Sequence, residues 1–481
     1  MNGNKIFKRL IICMIAAVFT AAVLYVLWNN GCFLPQWAKW QSGSFYDKSE
    51  EYGILLDHRA VEITYHDEVI WNSPKGVKVQ EAISCDIDHD QEDELILLCW
   101  KRGRYGKYRP FWVDRDEQKW SQHIFVYEYE KEEIRPKWMS SYIGVDVVSM
   151  SIRSRTDLRN SLLLTDTMGN VSSWAWDFWG FSKEDTEVSF AVFGDNLIHE
   201  PIYRYGLNQS GSFHFLFENV ESMIRESDIS VINQETPLVD DPSMYGDYPR
   251  FGTPIEVGQA ITDAGFDVVT CATNHALDRG AEGINITKEF FESHQILCLG
   301  IQSEDKGEYR PYETITRKGI KFALLNYTYG TNGIRIPEEN INMVHTLDSE
   351  EKIRNDLEKA REEADFVIVF VHWGTENSEE IDDFQKKWTQ IFLDSQVDVV
   401  IGTHPHILQP YEMIESEDGH EMLVYYSIGN FVSAQPEKTC IKGGIASFTV
   451  SLAATGYEIT DYGLQPLTIF WQEGGKYTAG P

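Results

Sequence analysis

The sequence is poor in cysteine and shows no metal-binding cysteine pattern. Its seven cysteines, at positions 13, 32, 85, 99, 271, 298 and 440 of 481 residues, include no CxxC pair and have no regular spacing. This scatter argues against a disulfide scaffold and against a cysteine-ligated zinc site. Cys85 and Cys99 are able to pair if their strands are neighbours. The alternative is that both are small buried apolar residues.

Basic residues are also scarce. Lys and Arg total 42 against 75 Asp and Glu, which gives a formal charge of −33. A body this acidic is repelled by nucleic acid and by anionic lipid unless a local cluster or a bound metal reverses the field, so we expect no nucleic-acid partner. No GxSxG motif, P-loop or dinucleotide fingerprint occurs where a strand and a helix would support it.

Charged residues are absent from residues 10–28, LIICMIAAVFTAAVLYVLW. At about 1.5 Å per residue, a helix of this length crosses a bilayer core. Lys5, Lys8 and Arg9 precede it, so the positive-inside rule places residues 1–9 in the cytoplasm and the bulk of the chain outside. We therefore predict a retained single-pass anchor in the cell membrane. The alternative is a cleaved signal peptide, whose apolar region is usually about 7 to 15 residues long.

After the apolar segment and a linker, the chain shows two different sequence patterns. Residues 29–50 are polar and aromatic and are predicted to be a linker. Residues 51–180 contain short runs rich in β-branched and aromatic residues, such as DELILLCW and HIFVYEYE, which are typical of a β-rich domain. Over residues 187–481, strands such as DISVINQE and VDVVIGTHPH alternate with helical patterns, which predicts an α/β domain.

Capping residues, proline and glycine predict helix boundaries at two places in this second half. Thr253 and Pro254 are predicted to be an N-cap and a first-turn proline, and Gly265 a C-terminal stop, of a helix over 255–264. Asp348 and Glu351 have the spacing of a capping box before the next apolar stripe, which predicts another helix start.

Polar residues follow the predicted strands of the α/β half at the points where the strands end. They are Asp195, Glu235, Asn274 with His275, His372, and His404 with His406. Strand ends of an α/β sheet converge on one edge, where ligands and metals bind. Carboxylate, carboxamide and imidazole groups without thiolates suit Mn, Zn, Fe or Mg. Each residue alone is more often satisfied by hydrogen bonds, so the prediction of a metal site depends on their coincidence.

Six segments of this half resemble the CapA or PgsA-type family of capsule and poly-γ-glutamate biosynthesis proteins, whose core is similar to the calcineurin-type metallophosphoesterase fold. They occur in the family's order between residues 187 and 450 and read FGDNLIHE, INQETPL, VVTCATNHALDRGAEGI, VHWGTE, DVVIGTHPHILQP and YYSIGNF. The resemblance implies an α/β fold with a metallophosphoesterase-like β-sandwich flanked by helices. In this chain the β-rich domain and the transmembrane helix precede it.

The resemblance also implies roles for individual residues. Two divalent metal ions would be held by Asp195, Glu235, Asn274, His372, His404 and His406, with Glu235 in the bridging position. His275 would act as general acid for the leaving group, and Asp278 would orient its ring. Asn430 would contact substrate or cap a turn. In such sites, ions about 3.5 to 4 Å apart activate a water and stabilise charge on the substrate oxygens.

The first motif departs from the phosphoesterase pattern, which usually opens with Asp-x-His. Here Asp195 is followed by Asn196 and Leu197, and the nearest histidine is His199. His199 is therefore either a ligand or a helix-start histidine with no metal role. Glu235 stands where the phosphoesterases have Asp, so the spacing and choice of metals do not transfer.

Two charged clusters mark the β-rich region. The segment DIDHDQEDE places Asp86, Asp88, Asp90 and Glu94 at positions 1, 3, 5 and 9 of a calcium loop and resembles the loops of FG-GAP or VCBS repeats, although Gln91 replaces the usual glycine. A calcium-stiffened loop and a solvated acidic turn both fit. The basic run KRGRYGKYR, residues 101–109, is expected either to dock an anionic polymer or lipid headgroups or to form a solvated hairpin.

Two functions follow from these observations. The first is a membrane-anchored extracytoplasmic two-metal hydrolase that acts on a phosphoester or an anionic polymer in capsule metabolism. The second is a non-catalytic subunit that binds such a polymer beside other capsule-synthase subunits.

Overall fold

The computed structural model describes residues 3–105, 111–130, 133–154, 159–303, 309–453, 456–472 and 475–481. The chain divides into two compact units, residues 1–185 and 186–481. The first unit consists of α1 (Gly3–Asn29), β1 (Gly43–Tyr46), β2 (Tyr52–Asp57), β3 (Ala60–Tyr65), β4 (Glu68–Asn72), β5 (Lys78–Cys85), β6 (Glu94–Arg102), β7 (Trp120–Glu130), β8 (Glu133–Met139), β9 (Val147–Ser154), β10 (Asn160–Asp166), β11 (Val171–Asp177) and β12 (Gly180–Lys183).

Helix α1 contains the uncharged segment 10–28. By length and composition it is able to cross a membrane, and an apolar helix near an N-terminus is equally typical of a signal sequence. The segment after it packs against the β-rich fold, because Leu34 and Ala38 are buried in one cluster with Trp100 of β6.

The strands of the first unit form three four-stranded antiparallel sheets, β1–β4, β5–β8 and β9–β12. In β6, Leu95, Leu97 and Cys99 pack in one core cluster with the first sheet, whereas Ile96 and Leu98 pack in another with the third. The middle sheet is therefore covered on both faces. This explains why ELILLCW is an uninterrupted apolar run and not an alternating one.

The cysteines of this region do not pair. Cys85 lies opposite Glu94 and Cys99 lies opposite Val79, so the two thiols are at opposite ends of the β5–β6 hairpin. Both are free, and Cys99 is a fully buried apolar residue.

The second unit alternates strands and helices. It contains β13 (Val188–Asn196), α2 (Glu200–Asn208), α3 (Glu221–Glu226), β14 (Ile229–Gln234), β15 (Leu238–Val239), β16 (Thr253–Pro254), α4 (Ile255–Ala264), β17 (Val268–Thr270), α5 (Gly280–Ser293), β18 (Leu297–Leu299), β19 (Tyr312–Arg317), β20 (Ile320–Thr328), α6 (Glu350–Glu363), β21 (Phe366–His372), α7 (Asp383–Asp394), β22 (Val399–Thr403), β23 (Tyr411–Glu415), β24 (Glu421–Tyr425), β25 (Asn430–Val432), β26 (Lys442–Ala453), β27 (Gly456–Gln472) and β28 (Lys476–Gly480).

Two mixed sheets of this unit pack face to face. One has the order β18-β17-β14-β13-β26-β27-β28, with β25 beside β13, and the other has the order β19-β20-β21-β22-β24-β23. Phe190 of β13, Phe322 of β20 and Phe370 of β21 are buried between them. Helices α2 to α5 pack on the outer face of the first sheet, and α6 and α7 pack on the second. This arrangement confirms the predicted α/β sandwich flanked by helices.

The starts of α4 and α6 can be compared with the boundaries predicted from the sequence. Helix α4 has the predicted bounds, and Gly265 ends it with a φ of 100°, in the left-handed region that favours glycine. Its N-cap is Pro254, so the assignment of Thr253 as the cap and of Pro254 to the first turn is wrong by one residue, because both belong to β16. Helix α6 begins differently from the prediction. Its N-cap is Ser349, whose hydroxyl accepts a hydrogen bond from the Lys352 backbone N–H at 3.3 Å, so the capping box assigned to Asp348 is wrong by one residue.

His123 of β7 is a buried titratable group in the first unit. Its ring nitrogens lie 2.9 Å from Ser121 Oγ and 3.2 Å from the Ser140 carbonyl oxygen. Burial, together with the nearby Lys101, lowers its pKa to about 4. The folded protein therefore holds this ring neutral.

This burial predicts a pH-dependent stability. Because the pKa is about 6.5 in the unfolded chain and lower in the folded one, the unfolded chain takes up the proton first as the pH falls. The stabilisation is complete above about pH 6.5 and is lost between there and about pH 4. We expect the melting temperature to fall from pH 7 to pH 5 by less in His123→Gln than in the wild type.

The exposed His58 offers a matched control, since its side chain is 93% exposed. His58→Gln should keep the wild-type pH dependence in the same calorimetric scans. Identical pH dependence in all three proteins would contradict the assignment.

Candidate metal centre

Six polar side chains lie where strands of the two sandwiched sheets end. Asp195 is the last residue but one of β13, Glu235 follows β14, and Asn274 follows β17, whereas His372 ends β21 and both His404 and His406 follow β22. Parallel strands direct their carboxyl ends to one edge of a sheet, and the hydrogen bonds described below join the two edges. All six side chains are buried.

Asp195 connects the two sheets. Its Oδ1 accepts a hydrogen bond from Asn233 Nδ2 at 2.7 Å, and its Oδ2 lies 3.1 Å from His406 Nδ1. The same ring nitrogen lies 3.0 Å from Asn430 Oδ1. Since both partners are acceptors, Nδ1 of His406 carries the proton. The lone pair of the neutral ring is then on Nε2, the orientation that a carboxylate gives to a metal-binding histidine.

Glu235 is the buried carboxylate of this centre. Within the described residues, no hydrogen-bond donor reaches either of its oxygens, although both are buried. Nε2 of His372 lies 3.7 Å from its Oε1, and Nε2 of His406 lies 3.8 Å away. Burial raises the pKa of Glu235 well above its ordinary value, and His406 opposes the rise. A buried carboxylate without donors is costly unless a positive charge or a metal compensates it.

The segment after β22 brings two histidines to this carboxylate. His404 and His406 have φ values of 96° and 60°, which non-glycine residues rarely adopt. Such backbone strain is characteristic of functional sites, where the surrounding structure enforces it. The Nδ1 of His404 is buried and has no hydrogen-bond partner in the described part of the chain.

The three histidines differ in charge. Burial lowers the pKa of His372 and of His404 well below the ordinary value. Burial also lowers the pKa of His406, but the carboxylates of Glu235 and Asp195 raise it by more, to about 9. The centre therefore combines two neutral imidazoles with carboxylates that attract positive charge.

These donors fit a divalent cation. Glu235, His404 and His406 each offer a ligand atom, and these atoms lie within 4.8 Å of one another. The unpartnered oxygens of Glu235 and the unpartnered nitrogen of His404 are the groups that a cation would satisfy. Asn274 Oδ1 lies 2.8 Å from His372 Nε2, which places both of these residues beside the same carboxylate. Oxygen and nitrogen donors suit Mn, Zn, Fe or Mg.

His275 lies in a separate hydrogen-bonded pair. Its Nδ1 is 2.7 Å from Asp278 Oδ2, and the same carboxylate oxygen accepts the Phe251 backbone N–H at 2.7 Å. The ring of Phe251 packs edge to face on the imidazole, with ring centres 4.8 Å apart. Asp278 thus fixes the orientation of the His275 ring and leaves Nε2 as the nitrogen able to exchange a proton.

His199 is the N-cap residue of α2. Its Nδ1 accepts the Ala434 backbone N–H at 3.2 Å, and its ring packs on Phe251 with ring centres 5.2 Å apart. These contacts hold it outside the group formed by Glu235, His404 and His406.

Several residues that hold the centre together were not predicted from the sequence. Asn233 donates to Asp195, and Thr403 Oγ1 lies 2.9 Å from Nδ1 of His372. Tyr329 packs on His404 with ring centres 4.7 Å apart, and Asn332 accepts a hydrogen bond from Asn274 at 3.2 Å. Asn233 and Thr403 lie inside the NQE and THPH motifs, so the sequence could have identified them as residues of the site. Tyr329 and Asn332 follow β20, where no motif pointed to them.

The acidic loop of the first unit is occupied by a lysine side chain. Oxygens of Asp86, Asp88 and Asp90 lie within 4.8 Å of one another. Nζ of Lys137, from β8, lies 2.7 Å from Glu94 Oε1 and also pairs with Asp88. Burial raises the pKa of Glu94 to about 7, against the pull of Lys137. An ammonium group therefore lies at the predicted calcium position and offsets part of its negative charge.

A family model for the bacterial capsule synthesis protein PGA_cap matches residues 189–435. The PGA biosynthesis protein CapA of Bacillus subtilis (strain 168) is 27% identical over 262 residues, which cover 53% of this chain and 66% of that protein. The capsule biosynthesis protein CapA of Bacillus anthracis is 25% identical over 268 residues, which cover 53% of this chain and 61% of that protein. The matches thus span less than two thirds of these relatives.

The solved structures that match this chain have low sequence identity and low TM-scores. The calcineurin-like phosphoesterase YfkN from Bacillus subtilis is 12% identical with a TM-score of 0.33, and the match covers 58% of this chain and 90% of that chain. The NAD nucleotidase NadN of Haemophilus influenzae is 12% identical with a TM-score of 0.36, and the match covers 60% of this chain and 53% of that chain.

Because Lys137 lies at the predicted calcium position, the effect of Ca²⁺ on stability can be predicted. We expect Ca²⁺ to leave the melting temperature of the wild type unchanged. Lys137→Met leaves the carboxylates without their cation, so it should lower the unfolding free energy by about 1 to 3 kcal/mol, and Ca²⁺ should restore part of the loss. Differential scanning calorimetry with Ca²⁺ or with chelator measures both effects.

Arg135→Met is the matched control, because Arg135 lies on the same strand and pairs with Glu130 and Glu133 at the surface. It should remain close to the wild type with and without Ca²⁺. A wild type that melts at a higher temperature with Ca²⁺ would show instead that the ion displaces the lysine.

Proposed function

This chain belongs to the family of bacterial capsule synthesis proteins, and we propose that it is a membrane-anchored, extracytoplasmic, metal-dependent hydrolase of the phosphoesterase type that acts in capsule or poly-γ-glutamate biosynthesis. The observation that carries the proposal is the donor-free, buried carboxylate of Glu235 beside His404 and His406. A binding surface alone gains nothing from burying such a group, since its desolvation is costly.

The metal-binding role is assigned to the residues at the strand ends. Two divalent ions would be held by Asp195, Glu235, Asn274, His372, His404 and His406. When bound, such ions supply an activated water and stabilise charge on the oxygens of a phosphoester. Asp195 and Asn430 orient the His406 ring by accepting hydrogen bonds from its Nδ1–H. Four positive charges against the two carboxylates would give a cationic pocket in an acidic protein, which attracts an anionic substrate.

The proton for the leaving group is assigned to His275. Asp278 holds its ring through Nδ1, and Phe251 packs against the ring edge to face. Nε2 is then the position from which a proton passes to the departing oxygen. General acid catalysis of this kind contributes about 10² to 10⁴ in rate.

A second function remains a candidate because of the relatives. The curated proteins are named for capsule or PGA biosynthesis and not for hydrolysis. A role in making a polymer also fits a non-catalytic subunit that binds an anionic polymer beside other subunits of a membrane capsule synthase. The same metal centre would then hold the polymer without cleaving it.

Metal content tests the ligand assignment. The purified protein should hold about one to two equivalents of transition metal. His404→Ala and His406→Ala should each lower this content, as measured by mass spectrometry of the metals, because each removes an imidazole beside Glu235. His294→Ala, a histidine exposed at the end of α5, should retain the wild-type content. His199→Ala should also retain it if that residue only caps α2.

Metal-free wild-type protein with full activity would refute the ligand assignment and the hydrolase together. Circular dichroism of each variant shows whether a loss of metal reflects unfolding.

Substitution of His275 separates the two candidate functions. His275→Ala should keep its metal and its fold, since no ligand is removed, while turnover of phosphodiesters falls by about 10² to 10⁴. The loss should be largest for poor leaving groups, which need the proton most. Asp278→Asn should cause a smaller loss, because it disturbs only the orientation of the ring.

A His275→Ala variant that supports normal polymer production in cells, where His404→Ala does not, would favour the non-catalytic function. Loss of metal in His275→Ala would show that this residue is a ligand and not the acid.

Protease added to intact cells tests the topology. From the apolar length of α1 and the basic residues before it we infer that the folded units lie outside. They should therefore be digested while the N-terminal peptide stays in the membrane fraction. Protected units would contradict the orientation, and loss of the N-terminal peptide from mature protein would identify α1 as a signal sequence.

A further inference from the structure

We propose that Cys271 and Cys298 form a reactive dithiol pair that a small external disulfide oxidises to an intramolecular disulfide bond. Both cysteines belong to the second unit, and neither is a proposed metal ligand. Their chemistry is independent of the proposed hydrolase activity, because it concerns the two thiols alone. The extracytoplasmic location proposed above would provide the oxidising environment in which disulfides persist.

The two cysteines lie on neighbouring parallel strands. Val269 of β17 is the register partner of Cys298 in β18, and Cys271 follows two residues after Val269. Residues two apart along an extended chain lie on the same face of a sheet, so Cys271 and Cys298 are diagonal neighbours. Both are free thiols of the same core cluster, and their sulfur atoms are 3.7 Å apart. The fold therefore brings two unbonded sulfur atoms into direct contact.

Backbone hydrogen bonds hold Cys271 in this position. Its N–H donates to the Leu299 carbonyl oxygen at 3.0 Å and to Asn326 Oδ1 at 3.0 Å. The N–H of Ala272 donates to the same Asn326 oxygen at 2.7 Å. The segment between the two cysteines has thus already lost its loop-closure entropy on folding, which favours the bond between them over a bond to another cysteine.

A buried lysine lies beside one of the two cysteines. Nζ of Lys288 donates to the Cys298 carbonyl oxygen at 2.5 Å, and this side chain is only 9% exposed. Burial raises the pKa of Cys298, but the contact with Cys271 and the charge of Lys288 together lower it below its ordinary value. The contact with Cys298, together with burial, raises the pKa of Cys271 well above its ordinary value. Since the thiolate is the reacting form of cysteine, we expect Cys298 to react first.

A cleft of the second unit leads to Cys298. Its lining includes Cys298, Lys288 and Glu292, and Glu292 is exposed, so the cleft reaches the surface. Cys298 itself is only 2% exposed. Attack on an external disulfide therefore requires local opening at the cleft, and we expect it to be slower than the reaction of an exposed thiol.

The reaction is a thiol–disulfide exchange in two steps. The Cys298 thiolate attacks one sulfur of the external disulfide, which forms a mixed disulfide and releases one thiolate. Cys271 then loses its proton and attacks the Cys298 sulfur, which forms the internal bond and releases the second thiolate. The two cysteines lose two electrons and two protons, and the external disulfide becomes two thiols. Because Cys271 precedes Asn274 by three residues, the bond would tie the segment that leads to the metal centre to β18.

Peptide mapping of the full chain in detergent tests the proposal. The protein is incubated with reduced and oxidised glutathione in varied ratios until its free-thiol content is constant. Remaining thiols are then alkylated, and the protein is digested without reduction. We expect a peptide pair joined through Cys271 and Cys298, lighter by two hydrogens than the separate peptides, in oxidised glutathione. The pair should disappear in reduced glutathione.

Two controls come from the other cysteines. Cys32 is exposed, so it should acquire glutathione quickly and show that the oxidant is active. Cys85 and Cys99 also lie on neighbouring strands, but their register places them at opposite ends of the β5–β6 hairpin. They should remain unlinked, which would show that neighbouring strands alone do not produce the bond.

Single substitutions test the order of the two steps. Cys271→Ser removes the second nucleophile, so glutathione should accumulate on Cys298. Cys298→Ser should leave Cys271 without glutathione under the same conditions. Circular dichroism shows whether each variant keeps the fold of the wild type.

Free thiols at both Cys271 and Cys298 in the wild type at every glutathione ratio, with Cys32 modified, would overturn the proposal. Glutathione on both cysteines without a bond between them would also overturn it. Accumulation on Cys271 in Cys298→Ser, and not on Cys298 in Cys271→Ser, would overturn the assignment of Cys298 as the attacking thiol.

Discussion

A carboxylate that is buried where two sheets meet cannot remain ionised without positive charge close by. Glu235 is in this position, because neither of its oxygens meets a hydrogen-bond donor among the described residues. The surrounding chain brings groups that could bind a cation close to it. The segment after β22 adopts left-handed backbone conformations at His404 and His406, and Asp195 holds the second ring in place. The sandwich matters for function chiefly because it brings these strand ends together.

The same principle operates in the first unit with a different outcome. The acidic side chains around residues 86–94 also concentrate negative charge, but there the ammonium of Lys137 provides the counter-charge. A side chain of the protein thus stabilises one cluster, whereas the other is proposed to bind an external cation. Comparing them shows why an acidic cluster alone does not identify a metal site. The two clusters differ in their buried oxygens: among the described residues both oxygens of Glu235 lack a hydrogen-bond partner, whereas in the acidic loop only Oδ1 of Asp88 does.

Much of the second unit could be predicted from the sequence because its signals are local. Proline and glycine define α4, and polar residues at strand ends identify the edge of the sheet where they gather. What sequence reasoning missed depends on tertiary contacts. Lys137 is 43 residues from Glu94, and Tyr329 reaches His404 from a different strand. The cap of α6 was misplaced because Ser349 and Asp348 are both good capping residues and only the backbone decides between them.

Anomalous X-ray scattering from crystals grown with Zn²⁺ tests the central claim most directly, since it locates the cation that Glu235 is proposed to require. The account predicts a peak about 2.0 to 2.2 Å from a carboxylate oxygen of Glu235 and from ring nitrogens of His404 and His406, with a second peak about 3.5 to 4 Å away. Crystals with no anomalous peak beside Glu235, and with its carboxylate hydrogen-bonded only to protein or water, would contradict it.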